Sequence, residues 1–357
     1  MQKSVVYGPF YVRKNVSLYV NYVQINVSIH TNYVQKNVNT IMERLVLQQF
    51  KEWKERKDRK PLIVNGARQV GKTWALREFA KREYAKEAYI ICRKNELVEQ
   101  VFKQDFNVER ILLSLSAIIH VDITPGDTLI ILDEVQEIPE AIEALKYFCE
   151  NAPEYHIAVA GSLLGISLHH NVSYPVGKVN EIDMYPMSYG EFLLAKGEKQ
   201  CYKLLEEKNF EITNLLHEKY VDLLRQYYYV GGMPEAVKEY VESGALKEVR
   251  RIQKEILKGY ERDFSKHSPK EQIERIKMVW RSIPSQLFKD NKKFIYGALR
   301  QGARAKDFEI AIEWLVDSGL LYKVSRCTKP ALPLDIYEDF SVFKLYLLDI
   351  GLLGAMV

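Results

Sequence analysis

Residues 66–73, with the sequence Gly-Ala-Arg-Gln-Val-Gly-Lys-Thr, constrain this chain more than any other segment. The fixed glycines, lysine and threonine have the spacing of a phosphate-binding loop, whose main-chain N–H groups curl around a phosphate. The apolar run Pro61–Val64 predicts a buried strand before the loop, and residues from Thr73 to about Ala85 predict a helix after it. A helix start also favours an anion through its dipole. Because this context is complete, we favour a nucleotide site over a chance glycine-rich turn.

The individual residues of the loop have distinct expected roles. Lys72 should contact the β- and γ-phosphates of ATP, and the hydroxyl of Thr73 should coordinate Mg²⁺. ATP and Mg²⁺ are therefore the cofactors that this loop predicts. We expect the remaining nucleotide contacts to come from Gly66, Ala67, Arg68, Gln69, Val70, Gly71 and Trp74.

Two carboxylates follow a second apolar run further along the chain. The residues Leu129–Leu132 are followed directly by Asp133 and Glu134. A buried parallel strand delivers its last residues to the crevice where ligands bind. We therefore expect Asp133 to hold magnesium through water and Glu134 to act as general base on the attacking water. A helix cap is the ordinary alternative for such a pair, but its position after a complete phosphate-binding loop favours the catalytic interpretation.

The pattern around these motifs predicts an α/β fold with a doubly wound parallel sheet of the P-loop class. Apolar strands alternate with helices, and the predicted strands are Pro61–Val64, Tyr89–Cys92, Thr128–Leu132 and His156–Ala160. A further β-like piece lies near Gly177–Met184, and the chain becomes mostly helical after about Leu194. Ser162 follows the fourth strand, where it would either sense the γ-phosphate or cap the next turn. The sequence leaves both interpretations open.

Charge is unevenly distributed along the chain. The formal net charge is only +4, yet Leu246–Lys306 contains 17 Lys and Arg residues against 7 Asp and Glu residues. Such an excess is typical of a surface that binds a polyanion such as DNA, although solvated helix faces also produce it.

The four cysteines lie far apart without a CxxC pair, which argues against a zinc site and favours a reducing, cytoplasmic setting. No apolar run reaches the roughly 18 residues of a membrane span.

Several ordered motifs resemble those of bacterial and archaeal AAA-type ATPases. Besides the phosphate-binding loop they are Leu132–Gln136, Ala160–Gly165, Tyr174–Lys178, Tyr185–Ser188, Gly231–Glu235 and Tyr260–Phe264. The resemblance covers Met42 to the C-terminus. Members of this family carry a helical lid, a winged-helix-like region and a nuclease-like domain. The resemblance thus implies a P-loop ATPase domain at 42–194, a lid at 195–268 and a winged-helix-like region at 269–357. The match ends at Asp349–Leu353 and no D…ExK motif is found, so we expect the nuclease-like domain to be missing.

The resemblance also assigns residues outside the loop. It implies that Gly232 and Pro234 line the adenine pocket from the lid, although an ordinary helix start is the alternative. It further implies that Arg304–Val324 forms the long helix and the start of the wing, with core-facing residues Ile310, Trp314 and Leu315. Basic residues that would meet phosphates in this region are Arg300, Arg304 and Lys306. Winged helices serve protein contacts as readily as DNA.

Two classes of function follow from these predictions. The chain is either an ATP-hydrolysing enzyme that acts on DNA or a protein partner, or a nucleotide-gated switch that hydrolyses slowly and moves its lid. A truncated inactive relative and a homo-oligomer are further alternatives. No residue is a secure arginine finger; Arg68 and Lys178 are the candidates, and a structural or solvent-facing role is the alternative for both.

The first forty-one residues differ from the rest. Similar hexapeptides begin at Tyr11, Tyr22 and Tyr33, with a spacing of 11 residues. Three short copies cannot build a hydrophobic core, so we expect the working protein to begin at Met42. Deletion of residues 1–41 should leave both folding and nucleotide binding intact, as measured by thermal unfolding and ATP titration. A loss of either property would contradict this hypothesis.

Overall fold

A five-stranded parallel sheet carries the phosphate-binding loop. Its strands are β1 (Leu62–Asn65), β2 (Lys86–Ile91), β3 (Thr128–Asp133), β4 (His156–Ala160) and β5 (Asn180–Asp183). Their spatial order is β2-β3-β4-β1-β5, and each neighbouring pair is parallel. The predicted α/β fold is confirmed. The computed structural model describes residues 42–161, 174–289 and 293–357, so the repeat at 1–41 lies outside the described residues.

The burial of each strand explains how accurately its bounds could be predicted from the sequence. Every residue of β1, β3 and β4 is buried, as expected for strands covered on both faces. Strand β2 lies at the edge of the sheet and is only partly buried. It begins at Lys86, three residues before the predicted start at Tyr89, because its polar first residues hide it from a search for apolar runs.

Helices cover both faces of the sheet. They are α1 (Val46–Glu55), α2 (Lys72–Glu83), α3 (Glu96–Gln104), α4 (Val108–Ile119) and α5 (Pro139–Asn151). Alternate strand residues point to opposite faces. Accordingly Leu62 and Leu129 pack in one hydrophobic core with α1 and α2, whereas Ile63 and Ile130 pack in a second core with α3, α4 and α5. The sheet therefore separates two apolar layers, and its strand ends remain at one edge.

The second half of the chain is helical and ends in a small hairpin. Its elements are α6 (Tyr189–Ala195), α7 (Lys199–Glu206), α8 (Phe210–Leu215), α9 (His217–Val230), α10 (Pro234–Ser243), α11 (Leu246–His267), α12 (Ile273–Leu287), α13 (Ala305–Asp317), the antiparallel strands β6 (Leu321–Cys327) and β7 (Glu338–Leu347), and α14 (Ile350–Ala355). Many of their apolar residues belong to the same core as α1 and α2. The described residues therefore form one compact unit.

Helix α13 corrects one prediction from the sequence. Trp314 and Leu315 are buried as expected, but Ile310 is 55% exposed, so its predicted place in the core was wrong. The buried stripe instead begins at Phe308 and repeats at Ala311 and Leu315, which lie on the same side of a helix. Ile310 falls between these positions and turns to the outside. The winged-helix assignment and the domain boundaries stay predictions.

None of the helices in the described ranges combines the length and the apolar character of a bilayer span.

Candidate active site

The phosphate-binding loop leaves strand β1 and turns into helix α2 at Lys72. Its backbone has positive φ angles at Gly66 (143°), Gln69 (66°) and Gly71 (95°). Gly66 has no alternative, because a Cβ atom there would lie 2.3 Å from the carbonyl oxygen of Met184 after β5. The tight approach of two chain segments thus fixes the first glycine of the motif, and the loop that follows has the curled shape that presents N–H groups to an anion.

Lys72 is turned back onto the loop that carries it. Its Nζ atom donates hydrogen bonds to the carbonyl oxygens of Gly66 (2.8 Å) and Ala67 (2.9 Å). Burial lowers the pKa of Lys72 to about 8, and the negative charges of Glu134 and Asp133 oppose this shift. Carbonyl oxygens are weaker partners for an ammonium group than phosphate oxygens. The ammonium therefore lies in the place from which it could exchange these carbonyls for a phosphate.

Thr73 and Asp133 meet at the edge of the sheet. The Thr73 hydroxyl donates a 2.9 Å hydrogen bond to Asp133 Oδ2, and the other oxygen, Oδ1, accepts one from the Glu134 N–H at 3.0 Å. Mg²⁺ in nucleotide sites uses one or two protein oxygens and completes its shell with phosphates and water. A hydroxyl and a carboxylate at this distance fit that requirement. The structure brings both predicted metal-binding residues together.

Glu134 lies directly beyond the strand in a constrained conformation. Its φ of 53° is in the left-handed region, which costs a non-glycine residue roughly 1–2 kcal/mol. The Gln136 amide donates a short hydrogen bond to the Glu134 carboxylate and holds it. Strained positions of this kind cluster at functional sites. The carboxylate is thus fixed on the same edge of the sheet as Lys72 and Asp133.

Tyr89 is a member of the site that the sequence did not reveal. Its hydroxyl donates a 2.8 Å hydrogen bond to Asp133 Oδ2, the oxygen that also accepts from Thr73. Burial raises the pKa of Tyr89, so the hydroxyl stays a donor. The guanidinium group of Arg77 covers the ring at 4.7 Å. No local pattern marks Tyr89; only the adjacency of β2 and β3 places it two residues before the partner of Asp133 in the strand register.

A second missed residue, Arg44, supports the far end of the loop. Its buried guanidinium donates to the carbonyl oxygens of Val70 (2.7 Å) and Tyr185 (2.8 Å) and pairs with Glu191 at 2.9 Å. The same Glu191 completes the capping box of α6 with Ser188. This network ties the loop to the segment after β5. Arg44 lies 26 residues from Val70 and more than 140 from Tyr185 and Glu191, so no motif indicated its role.

The other predicted nucleotide contacts differ in how close they lie to the phosphate-binding loop. Trp74 is 38% exposed on α2. Pro234 lies beside the loop, since a Cβ atom built on Gly71 would be 3.5 Å from its Cγ. Gly232 is buried between main-chain groups of Met187 and the carboxylate of Asp349, which accepts its N–H at 2.6 Å. The adenine-pocket roles of Gly232 and Pro234 stay predictions.

Ser162, for which the sequence left a γ-phosphate sensor and a turn cap open, lies outside the described residues.

The C-terminal half of the chain also contacts the loop. Arg68 Nη1 lies 2.6 Å from both carboxylate oxygens of Asp263, and the Tyr260 hydroxyl donates to the Arg68 carbonyl oxygen at 2.8 Å. The second arginine-finger candidate, Lys178, pairs with Glu150 at 2.8 Å. The site is therefore assembled from both halves of the chain.

A cavity of about 340 Å³ opens where the two halves meet. One wall is the start of the phosphate-binding loop, another is the segment after β5, and the third comes from the turn between α13 and β6. The lining residues are Gly66, Ala67, Asp183, Met184, Tyr185, Pro186, Val316, Asp317, Gly319 and Tyr322.

Comparison with protein families divides the chain into two matched regions. Residues 58–193 match the family described as "AAA domain", and residues 221–357 match a "Domain of unknown function (DUF8612)". The chain thus carries an AAA-type region at 58–193, followed by a region of unknown function at 221–357. This finding confirms the resemblance that the motifs suggested. No curated protein matched the chain.

Solved structures support the same fold. The chain is similar to a Walker-type ATPase of Pyrococcus abyssi, with 15% identity, a TM-score of 0.55 and coverage of 88% of this chain and 96% of that one. It is also similar to the Aeropyrum pernix ORC1 protein in complex with DNA (13% identity, 87% and 90% coverage, TM-score 0.33). The RuvB Holliday junction branch migration motor of Thermotoga maritima gives 13% identity, 77% and 86% coverage and a TM-score of 0.35. The last two superpositions are too loose to carry a conclusion.

Removal of the Tyr89 hydroxyl should weaken magnesium binding. A hydrogen bond to a charged group contributes about 1.5 kcal/mol, so Tyr89→Phe should lower Mg²⁺ affinity about tenfold while ATP binding in EDTA is unchanged. Mn²⁺ binding to the ADP-loaded protein, measured by electron paramagnetic resonance, checks this without turnover. Tyr84→Phe is the matched control, because the Tyr84 hydroxyl bonds His156 rather than Asp133. Unaltered metal affinity in Tyr89→Phe would exclude this role.

Proposed function

We propose that this chain binds ATP with Mg²⁺ at residues 66–73 and hydrolyses it to ADP and phosphate. The observation that carries the proposal is the 2.9 Å hydrogen bond between Thr73 and Asp133, with Lys72 on the same loop. This arrangement joins a hydroxyl, a carboxylate and an ammonium group around the place of a triphosphate. Magnesium, when bound, would neutralise charge on the β- and γ-phosphates, and Thr73 and Asp133 are the residues that would hold it.

The chain's own residues account for the chemical step. Lys72 would leave the carbonyl oxygens of the loop and contact the β- and γ-phosphates, which stabilises charge that develops on them. Glu134 would accept a proton from the attacking water. The water oxygen then bonds to the γ-phosphorus, and the bond between the γ-phosphorus and the ADP oxygen breaks. The fixed orientation of Glu134 by Gln136 supports this assignment, because a base must be held in place to act.

Glu134→Gln tests hydrolysis separately from binding. The amide keeps the size of the side chain but cannot accept the proton, so the rate of phosphate release should fall at least about 100-fold. ATP affinity should stay within about twofold of the wild type, since the loop supplies the binding contacts. Single-turnover phosphate release and ATP titration measure the two properties.

Glu137→Gln is the matched control for this experiment, because Glu137 is exposed and follows in the same turn. An equal rate in Glu134→Gln and the wild type would remove Glu134 from the mechanism. That conclusion requires a wild-type rate above the uncatalysed background. A wild-type protein that binds ATP but releases no phosphate above this background would instead favour the nucleotide-gated switch.

A basic stripe on helix α11 supports a second proposal, a nucleic-acid partner. The helix has 22 residues and is therefore roughly 33 Å long. Exposed basic residues recur along it at intervals of three or four, which places them on one side: Lys247, Arg251, Lys254, Lys258, Arg262 and Lys266. Arg251 is engaged by Glu248 and Glu255, but a stripe of this length can follow a phosphate backbone.

A protein partner, including a second copy of the chain, is the alternative occupant of this surface.

We also propose a cytoplasmic setting. The cysteines are all free, which fits a reducing compartment: Cys92, Cys149, Cys201 and Cys327.

Charge reversal on the stripe should weaken DNA binding. The double variant Lys254→Glu and Lys258→Glu should bind duplex DNA at least about tenfold more weakly at 50 mM salt, with a smaller dependence of affinity on salt. Lys51→Glu with Lys57→Glu is the control, since it makes the same change of charge at exposed positions in and just after α1. Fluorescence anisotropy measures the affinities. Absence of wild-type binding at low salt would end the proposal.

A further inference from the structure

Arg68 is the residue through which the phosphate-binding loop contacts helix α11. It stands third in the motif, in the part of the loop that wraps around the phosphates. Both oxygens of Asp263 lie 2.6 Å from Arg68 Nη1, and the pair is asymmetric in exposure: the Arg68 side chain is 40% exposed and that of Asp263 only 10%. A partly exposed cation is therefore held by a nearly buried anion.

Arg68 also interacts electrostatically with Glu134 and Lys72, the charged residues at the edge of the sheet. The hydrogen bond and charge of Asp263 outweigh the effect of burial and raise the pKa of Arg68, and Glu134 contributes in the same direction. Arg68 in turn helps to lower the pKa of Lys72. Asp263 holds the guanidinium on one side. On the other side, Arg68 follows Ala67, whose carbonyl oxygen accepts from Lys72 Nζ at 2.9 Å, so Arg68 leaves the loop next to the lysine that we expect to contact the γ-phosphate.

We propose that Asp263 and the terminal phosphate of ATP compete for Arg68, so that ATP binding releases the Asp263 side of α11 from the loop. This inference rests on the proposed ATP site. In the structure Asp263 engages Nη1 of the guanidinium, and the Lys72 ammonium donates to loop carbonyls. A triphosphate brings a denser negative charge and accepts the arginine in a bidentate manner. ADP lacks the terminal phosphate and competes less.

Two further contacts define what stays in place when the pair opens. The Tyr260 hydroxyl bonds the main-chain carbonyl of Arg68, which a nucleotide does not alter directly. Phe264 is fully buried against Trp280 and Trp314, with ring centroids 5.4 and 5.6 Å apart. Asp263 lies between these anchored residues. Tyr260 and Phe264 therefore act as the fixed points, and the ion pair is the part that responds to the nucleotide.

The consequence is a link between the domain of unknown function and the state of the nucleotide. Helix α11 carries Asp263 near its end and the basic stripe along its length. A change in the attachment of α11 would reach any partner bound to that stripe. By linkage, a partner that draws Asp263 away from Arg68 would also favour ATP over ADP.

Asp263→Asn tests the competition. The variant removes the charge but keeps the shape, so Arg68 becomes available to the γ-phosphate. We expect ATP affinity to rise about fivefold and ADP affinity to change less than twofold, both measured by calorimetric titration of the full chain. Glu261→Gln is the matched control, because it removes a carboxylate of the same helix that faces Arg281 instead.

Other outcomes overturn the inference in distinguishable ways. Equal weakening of ATP and ADP binding in Asp263→Asn would mean that the ion pair only supports the loop, and unchanged affinities would mean that no competition exists. Hydrogen exchange of the wild-type protein is a second measurement that needs no variant. Amides 265–267, in the last turn of α11 beyond the fixed Phe264, should exchange faster with ATP than with ADP, and equal exchange would contradict the release. If the wild type binds neither nucleotide, the ATP site itself fails.

Discussion

The Thr73 hydroxyl and the Asp133 carboxylate, sixty positions apart in the chain, share a hydrogen bond of 2.9 Å on which the proposed chemistry depends. The bond forms because the fully buried strands β1 and β3, with β4 between them, end at the same edge of the sheet. Apolar burial on both faces fixes the register of these strands. The polar residues that follow these strands therefore lie in the crevice at the carboxyl ends of the sheet.

Electrostatics at this edge is arranged around an anion. Burial removes part of the hydration of the Lys72 ammonium before a phosphate arrives, and this desolvation lowers the pKa of Lys72 to about 8. Main-chain carbonyls of the loop compensate in the present structure. Asp133 is satisfied by donors on both oxygens, from Thr73 and Tyr89 on one and from Glu134 on the other. Groups fixed in this way need little reorganisation when charge develops.

The C-terminal half contributes to the site as well as to the shared core. Arg44 and Glu191 hold the end of the phosphate-binding loop, and Tyr260 and Asp263 hold its middle. The contacts of Tyr260 and Asp263 give the domain of unknown function a direct physical connection to the loop. The connection combines a main-chain bond, which fixes the loop, with an ion pair, which can exchange partners.

The sequence alone determined what is local. Three features are each encoded in consecutive residues: the motif at 66–73, the acidic pair Asp133 and Glu134, and the buried apolar strands. The fold class of the chain and the expected roles of these residues could therefore be predicted. The exposed Ile310 shows the limit of that approach: an apolar residue in a helix faces the core only if its phase matches the packed side, and the phase depends on what packs there. Tyr89, Arg44 and Asp263 joined the site only through tertiary structure. Their partners lie on other strands, helices or domains, and hydrogen bonds between segments distant in sequence leave no periodic or spaced signal in either one.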